Sequence, residues 1–141
     1  METEKNQAIL RRVITEAFSK GNYAVLSECF PSEFIEHQFG LHNTIEGLEQ
    51  DIRFLRKAFP DLELTIEDMV SEGDKVWALS TARGTNRGGI MGPPNGKHFA
   101  ITVFDLCRFE DGKIVEHWGS PDRFSQLVQL GLLHMPQPNP A

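Results

Sequence analysis

Cysteine is scarce in this chain, which has only Cys29 and Cys107. They form no CxxC pair and match no metal-ligand spacing, so a disulfide framework and a thiolate metal site are both excluded and the pair reads as ordinary buried thiols. Long apolar runs are missing. No stretch approaches the roughly 18 to 20 residues that a membrane span needs. The opening Met1-Glu2-Thr3-Glu4-Lys5-Asn6 is polar, without an apolar signal core, and the expected setting is cytoplasmic. Positive charge is also in short supply: 14 Lys and Arg stand against 20 Asp and Glu, a net charge of −6. With no basic stripe to displace counterions, a nucleic-acid partner is not expected. Repeats, low-complexity blocks, HxH and HExxH spacings and a nucleophile-elbow pattern are all absent. Gly88-Gly89 and Pro93-Pro94 resemble a phosphate loop only superficially, because no Gly-Lys-Ser/Thr follows.

What remains is a chain of 141 residues with 40% apolar and 24% charged residues, enough for one folded domain with one core. Residues 4–19 show helical periodicity through Ile9, Val13 and Ala17, with Thr3 as N-cap and Gly21 as stop. Asn22 opens a second short helix that Pro31 ends, and 33–38 alternates Phe34/Glu36/Gln38 against Ile35/His37/Phe39, a short strand pattern. Thr44 begins a third helix with the stripe Ile45, Leu48, Ile52, Leu55 and Phe59, stopped by Pro60. From Asp61 the period changes to alternation. Strands are expected over 62–70, 75–85, 98–110 and 113–119, with a loop over 86–97, and a last helix runs from Phe124 to Gly131. Helices first and a meander afterwards indicate an α+β fold, one domain over 1–134 with a Pro-rich tail over 135–141.

The densest chemistry lies between Gly84 and Asp122. Asp111-Gly112 between two alternating apolar runs is the strongest hairpin signal in the chain. Phe59-Pro60-Asp61, Gly84-Thr85, Gly92-Pro93-Pro94-Asn95-Gly96-Lys97, Asp111-Gly112-Lys113-Ile114-Val115-Glu116-His117-Trp118 and Gln129-Leu130-Gly131 follow in order. With this order of elements, the chain resembles the SnoaL-like polyketide cyclase (ester cyclase) family of the NTF2-like superfamily. The resemblance implies a cone of helices on a curved, mostly antiparallel sheet enclosing a pocket, no metal or organic cofactor, and often a homodimer made through the sheet. It implies an enzyme in which one carboxylate removes a proton next to a carbonyl and the enolate closes a ring. In the family that carboxylate is an Asp close after the His-Trp pair, whereas here Gly119 follows Trp118 and the nearest Asp is Asp122.

Three residues are candidate catalytic groups. Asp105 lies mid-strand on the face of Ile101, Val103 and Cys107, where a carboxylate is costly unless paired. It is either a general base or a structural partner of Arg83 or Arg108. His117, on the opposing strand, comes near the Asp105–Arg108 stretch, and an Asp contact would orient its ring. Asp122 is the third, with helix capping as its competing role. Substrate-binding candidates are His37, Arg83, Trp77, Met69, Phe99 and Phe104, although the apolar ones fit plain core equally well. A metal held by His37, Asp105 and His117 is the one spatial arrangement that spacing leaves open. The expected ligand is a small hydrophobic carbonyl compound. The leading reading is a cofactor-free cyclase or isomerase, with a non-catalytic binder of a hydrophobic metabolite, or a hydrolase of an ester, lactone or epoxide, as alternatives.

Overall fold

The computed structural model describes residues 2–136 of the chain. Helix α1 (Glu2–Arg12) runs into a π-helical segment at Val13–Phe18, and a 3-10 turn at Tyr23–Val25 leads into the short α2 (Leu26–Cys29). Strand β1 (Ile35–Glu36), helix α3 (Ile45–Ala58), strands β2 (Glu63–Glu72), β3 (Lys75–Thr85), β4 (His98–Glu110) and β5 (Lys113–Pro121), and helix α4 (Arg123–Gln129) follow. The strands form one sheet in the order β1-β5-β4-β3-β2, antiparallel except for the β1–β5 pair. The result is α+β, helices on one face of a curved sheet.

Most expected boundaries agree with the observed elements, and the exceptions are local. Thr3 lies inside α1 rather than capping it. The 33–38 strand pattern yields only the two residues of β1, because β1 pairs with nothing but the edge of β5. Thr44 does cap α3, its hydroxyl accepting from the Gly47 amide at 3.1 Å. Of the tail expected over 135–141, residues 137–141 lie outside the described residues.

One departure from regularity in the β4–β5 pair decides which side chains of β5 face inward. At the β4–β5 hairpin, Asp111 (φ 50°) and Gly112 (φ 75°) form the two-residue turn, a left-handed pair that Asp-Gly suits. Regular pairing from this turn would put Ile114 and Glu116 on one face and His117 on the other. Instead the register slips between Arg108 and Phe109, so that Phe109 opposes Ile114 while Arg108 opposes Glu116. The extra residue, Val115, is a β-bulge, and it turns His117 to the same face as buried Ile114. Asp105, Cys107 and the apolar Ile101 and Val103 occupy that face on β4.

Four of the five segments that carry the family resemblance, all but the Asp111–Trp118 hairpin, form one clamp. Asp61 accepts from the Thr85 amide at 2.8 Å and from its hydroxyl at 2.6 Å, and Thr85 contacts His98 Nδ1 at 2.8 Å. A side chain at Gly84 would collide with the edge-to-face pair Phe59 and Phe99, so that position must stay small. Buried Asn86 ties the 86–97 loop together: its amide nitrogen donates to the Met91 and Pro93 carbonyls and its oxygen accepts from Gly88. Asn95 donates to the Leu130 carbonyl, and Gln129 bonds both backbone groups of Ala100, fixing α4 to the loop and to β4.

Candidate functional site

A cavity of about 450 Å³ opens between the helices and the inner face of the sheet. That volume suits a small organic ligand. Its walls are chiefly apolar, among them Leu10, Ile14, Leu48, Ile101 and Val103, and Phe39, Phe54 and Ile90 stand exposed around its mouth. The 86–97 loop reaches that mouth through Ile90 and Met91.

Against this apolar background lies a chain of three charged groups. His117 contacts Asp105 Oδ1 through Nε2 at 2.7 Å and Glu36 Oε2 through Nδ1 at 2.6 Å. Glu36 comes from β1, His117 from β5 and Asp105 from β4. The three side chains are only 3%, 14% and 13% exposed in that order. Burial alone would drive His117 toward the neutral form. The hydrogen bonds and charges of Asp105 and Glu36 outweigh it and push the His117 pKa up to about 9. His117 is therefore an imidazolium at neutral pH, with one N–H directed at each carboxylate. Both ring nitrogens are occupied, so His117 offers none to a ligand. Asp105 does: it lines the cavity, and its second oxygen, Oδ2, accepts from no donor among the described residues. The Glu36 oxygen that meets His117 also accepts from the Gln38 amide at 3.0 Å.

Gly119 opposes Asp105 across the β4–β5 ladder. A Cβ at 119 would overlap Gln38 Oε1, so the Gln38 side chain fills the space that a residue there would need. At this point of the wall β5 carries no carboxylate, and the one present, Asp105, comes from the neighbouring strand.

Of the residues expected at the site, Asp105, His117 and Phe99 line the cavity together. Six others lie elsewhere. Trp77 and Phe104 are half exposed on the outer face of the sheet, because strand alternation from inward Ala78 and Val103 points them away. Arg83 is on that outer face too, its guanidinium 3.4 Å from Thr65 Oγ1, and it does not meet Asp105. His37 has the opposite polarity to Glu36; it stacks on Trp118 with ring centroids 4.5 Å apart and contacts Glu116 Oε2 at 2.7 Å. Met69 packs against the core, with its sulfur 3.7 Å from Arg11 Nη2. Asp122 caps α4, accepting from the Ser125 amide at 3.1 Å. With His37 turned outward, the metal arrangement of His37, Asp105 and His117 does not form. Among the described residues no His, Cys, Asp and Glu cluster is placed to hold a metal ion.

Among the polar cavity groups that the sequence does not single out are Glu36, Gln38 and Arg123. Glu36 and Gln38 share a strand face with buried Phe34, and that alternation was the available signal. Arg123, at the start of α4, had none.

Comparisons with known proteins agree with this fold. Residues 8–130 match the model of the SnoaL-like polyketide cyclase family. No curated protein matches the chain. Among solved structures, TsrD from Streptomyces laurentii is 30% identical, with a TM-score of 0.85 over 94% of this chain and 99% of that one. IdmH from Streptomyces antibioticus, a candidate polyketide cyclase, is 31% identical, with a TM-score of 0.79 over 89% of this chain and 98% of that one. A Catenulispora acidiphila protein with a ketosteroid isomerase-like fold, in complex with trimethylamine, is 18% identical at a TM-score of 0.75, over 89% of this chain and 93% of that one. This last likeness is one of fold, the NTF2-like α+β cone.

The raised pKa of His117 has a consequence for stability. Folded His117 holds its proton more tightly than the unfolded residue does. Its stabilisation is complete below pH 6.5 and is lost as pH rises through about 9. The span corresponds to a contribution on the order of 3 kcal/mol. Denaturant unfolding of wild type and His117→Gln between pH 6 and 10 should show the wild-type advantage shrinking across that window. A pH-independent gap would contradict the assignment.

Proposed function

Because the chain belongs to the SnoaL-like polyketide cyclase family, we propose that it is a cofactor-independent cyclase or isomerase in which Asp105, rather than a carboxylate on β5, is the acid/base group. The observation that carries this reading is the Asp105 carboxylate in the wall of a mostly apolar cavity, held through Oδ1 at 2.7 Å by a buried imidazolium, with Oδ2 free of hydrogen-bond donors among the described residues. Asp105 Oδ2 takes a proton from the carbon next to a substrate carbonyl. The C–H bond breaks, its electron pair becomes the enolate, and an O–H bond forms on Asp105. The enolate carbon then attacks a second carbonyl of the same molecule, and the resulting alkoxide takes the proton back from Asp105. Return of the proton to a different carbon gives isomerisation instead.

The electrostatics suit this step. In formal charge, two carboxylates and one imidazolium sum to one net negative charge. Taking up the substrate proton brings them to neutrality as the charge moves to the enolate oxygen. A low-dielectric wall then never holds more than that single net charge. Glu36 holds the imidazolium from behind and fixes the ring toward Asp105.

The alternatives find less support. A non-catalytic binder needs only apolar and neutral groups, whereas this cavity holds Glu36, His117 and Asp105, charged groups that are costly to bury. Hydrolysis by a water held between Asp105 and His117 is disfavoured by their direct 2.7 Å contact.

The substrate class is tested with 2-tetralone in D₂O, following exchange at the carbon next to its carbonyl by NMR. Wild-type protein should accelerate exchange, and Asp105→Asn should lose about a hundredfold or more of that acceleration. No acceleration, or an Asp105→Asn protein as active as wild type, would sink the proposal.

The outer face of the sheet supports a homodimer as part of the same reading. Val70, Trp77, Leu106 and Trp118 lie in register across β2, β3, β4 and β5, an apolar row over four strands. Val70 and Trp77 are 57% and 48% exposed, and Phe104 beside the row is 50% exposed. A second copy laid on this face would cover the row. Light scattering should give a dimer mass for wild type and a monomer mass for Trp77→Glu; a monomeric wild-type protein rules the interface out.

A further inference from the structure

The charged chain is not the only polar feature of the cavity. Arg123, the first residue of α4, also lines it, at the end where Pro121 of β5 opposes Val103 of β4. Pro121 and Val103 lie two residues along their strands from Gly119 and Asp105. Arg123 and the acid/base group therefore share one chamber but occupy different stations along its floor.

Arg123 stands without a carboxylate. It forms no ion pair among the described residues, and its one side-chain hydrogen bond goes from Nη1 to the neutral Oε1 of Gln126 at 2.5 Å. Gln126, one helical turn on, is almost wholly buried and lines the same cavity. A guanidinium has five N–H donors in a rigid fork; four of these, and the Gln126 amide nitrogen, have no acceptor among the described residues. Burial pulls the Arg123 pKa down, the direction expected for a cation short of an anion. Every other charged group on the cavity wall has a partner. Glu36 and Asp105 share His117, and Asp51 accepts from the His42 amide and contacts its ring, both at 2.8 Å.

From this geometry we infer that Arg123, presented by Gln126, is the binding site for an anionic group of the ligand, a carboxylate carried on the same small apolar carbonyl compound. Planar, bidentate recognition of a carboxylate is what the free edge of a guanidinium does best. The ligand would then be a keto acid rather than its ester or amide. Its carboxylate would rest at the α4 end of the cavity, and its enolisable carbon would face Asp105. The inference rests on the cavity being the substrate site, and it adds a selectivity that acid/base chemistry alone does not require.

The probes are 2-naphthoate and its neutral ester, methyl 2-naphthoate, titrated into the full chain by calorimetry. Wild-type protein should bind the acid about tenfold or more tightly than the ester. Arg123→Gln should lose about tenfold in affinity for the acid while its affinity for the ester stays within about threefold. Arg123→Lys, which keeps the charge and loses the fork, should retain part of the preference; it also serves if Arg123→Gln does not fold. Equal affinity of wild type for acid and ester, including no measurable binding of the acid, overturns the inference, as does an equal loss for both ligands in both variants. The two readings fail separately. Lost acid preference with retained 2-tetralone exchange overturns the anion site alone. Retained acid preference without exchange overturns the acid/base reading alone.

Discussion

The buried contact of His117 with Glu36 and Asp105 is the interaction on which the rest of the site depends. A carboxylate inside an apolar cavity is costly, and the imidazolium between two of them is what makes both tolerable. The same contact explains several otherwise unrelated features. β1 is two residues long and pairs only with β5, yet it supplies Glu36, so this minimal strand closes the charged chain. The bulge at Val115 breaks the ladder, yet without it His117 would face outward with Trp118 left to point inside. Local irregularity in the sheet is the means by which this charged chain is assembled.

The two faces of the sheet divide the chemistry. The inner face carries Asp105, Gly119 and His117 within an apolar wall, and the outer face carries the Trp77 row and the His37–Trp118 stack over Glu116. Gly119 leaves β5 bare at one point of the inner wall. With no side chain there, Gln38 enters the space, and the carboxylate at that place on the wall is the cross-strand partner Asp105.

Much of the fold was legible in the sequence because it rests on local rules. The β3 and β4 boundaries followed from alternation, the hairpin from Asp111-Gly112, and the α3 start from Thr44. The site was legible only where those rules reach. Asp105 stood out because its neighbours two residues away are apolar, and those neighbours are buried. His117 needed the bulge, which the two-residue turn does not announce. On β1 the alternating pattern was present but its polarity was not assigned, so His37 was favoured over Glu36; only pairing with β5, some 80 residues away, decides which of them faces in. Arg123 lies beyond the strand end, at a place where packing of α4 on β4 sets direction and no periodicity applies. Arg83, Trp77 and Phe104 were favoured for residue type, and strand parity places them outside.

His117 stands as a buried imidazolium with one proton directed at each of two carboxylates. Nitrogen-15 NMR of ring-labelled histidine tests it most directly, with His117→Gln supplying the assignment. Both His117 nitrogens should carry protons at pH 7, and titration should centre near 9. A neutral His117 ring at pH 7, with one nitrogen unprotonated, would overturn the imidazolium assignment and the charge balance built on it.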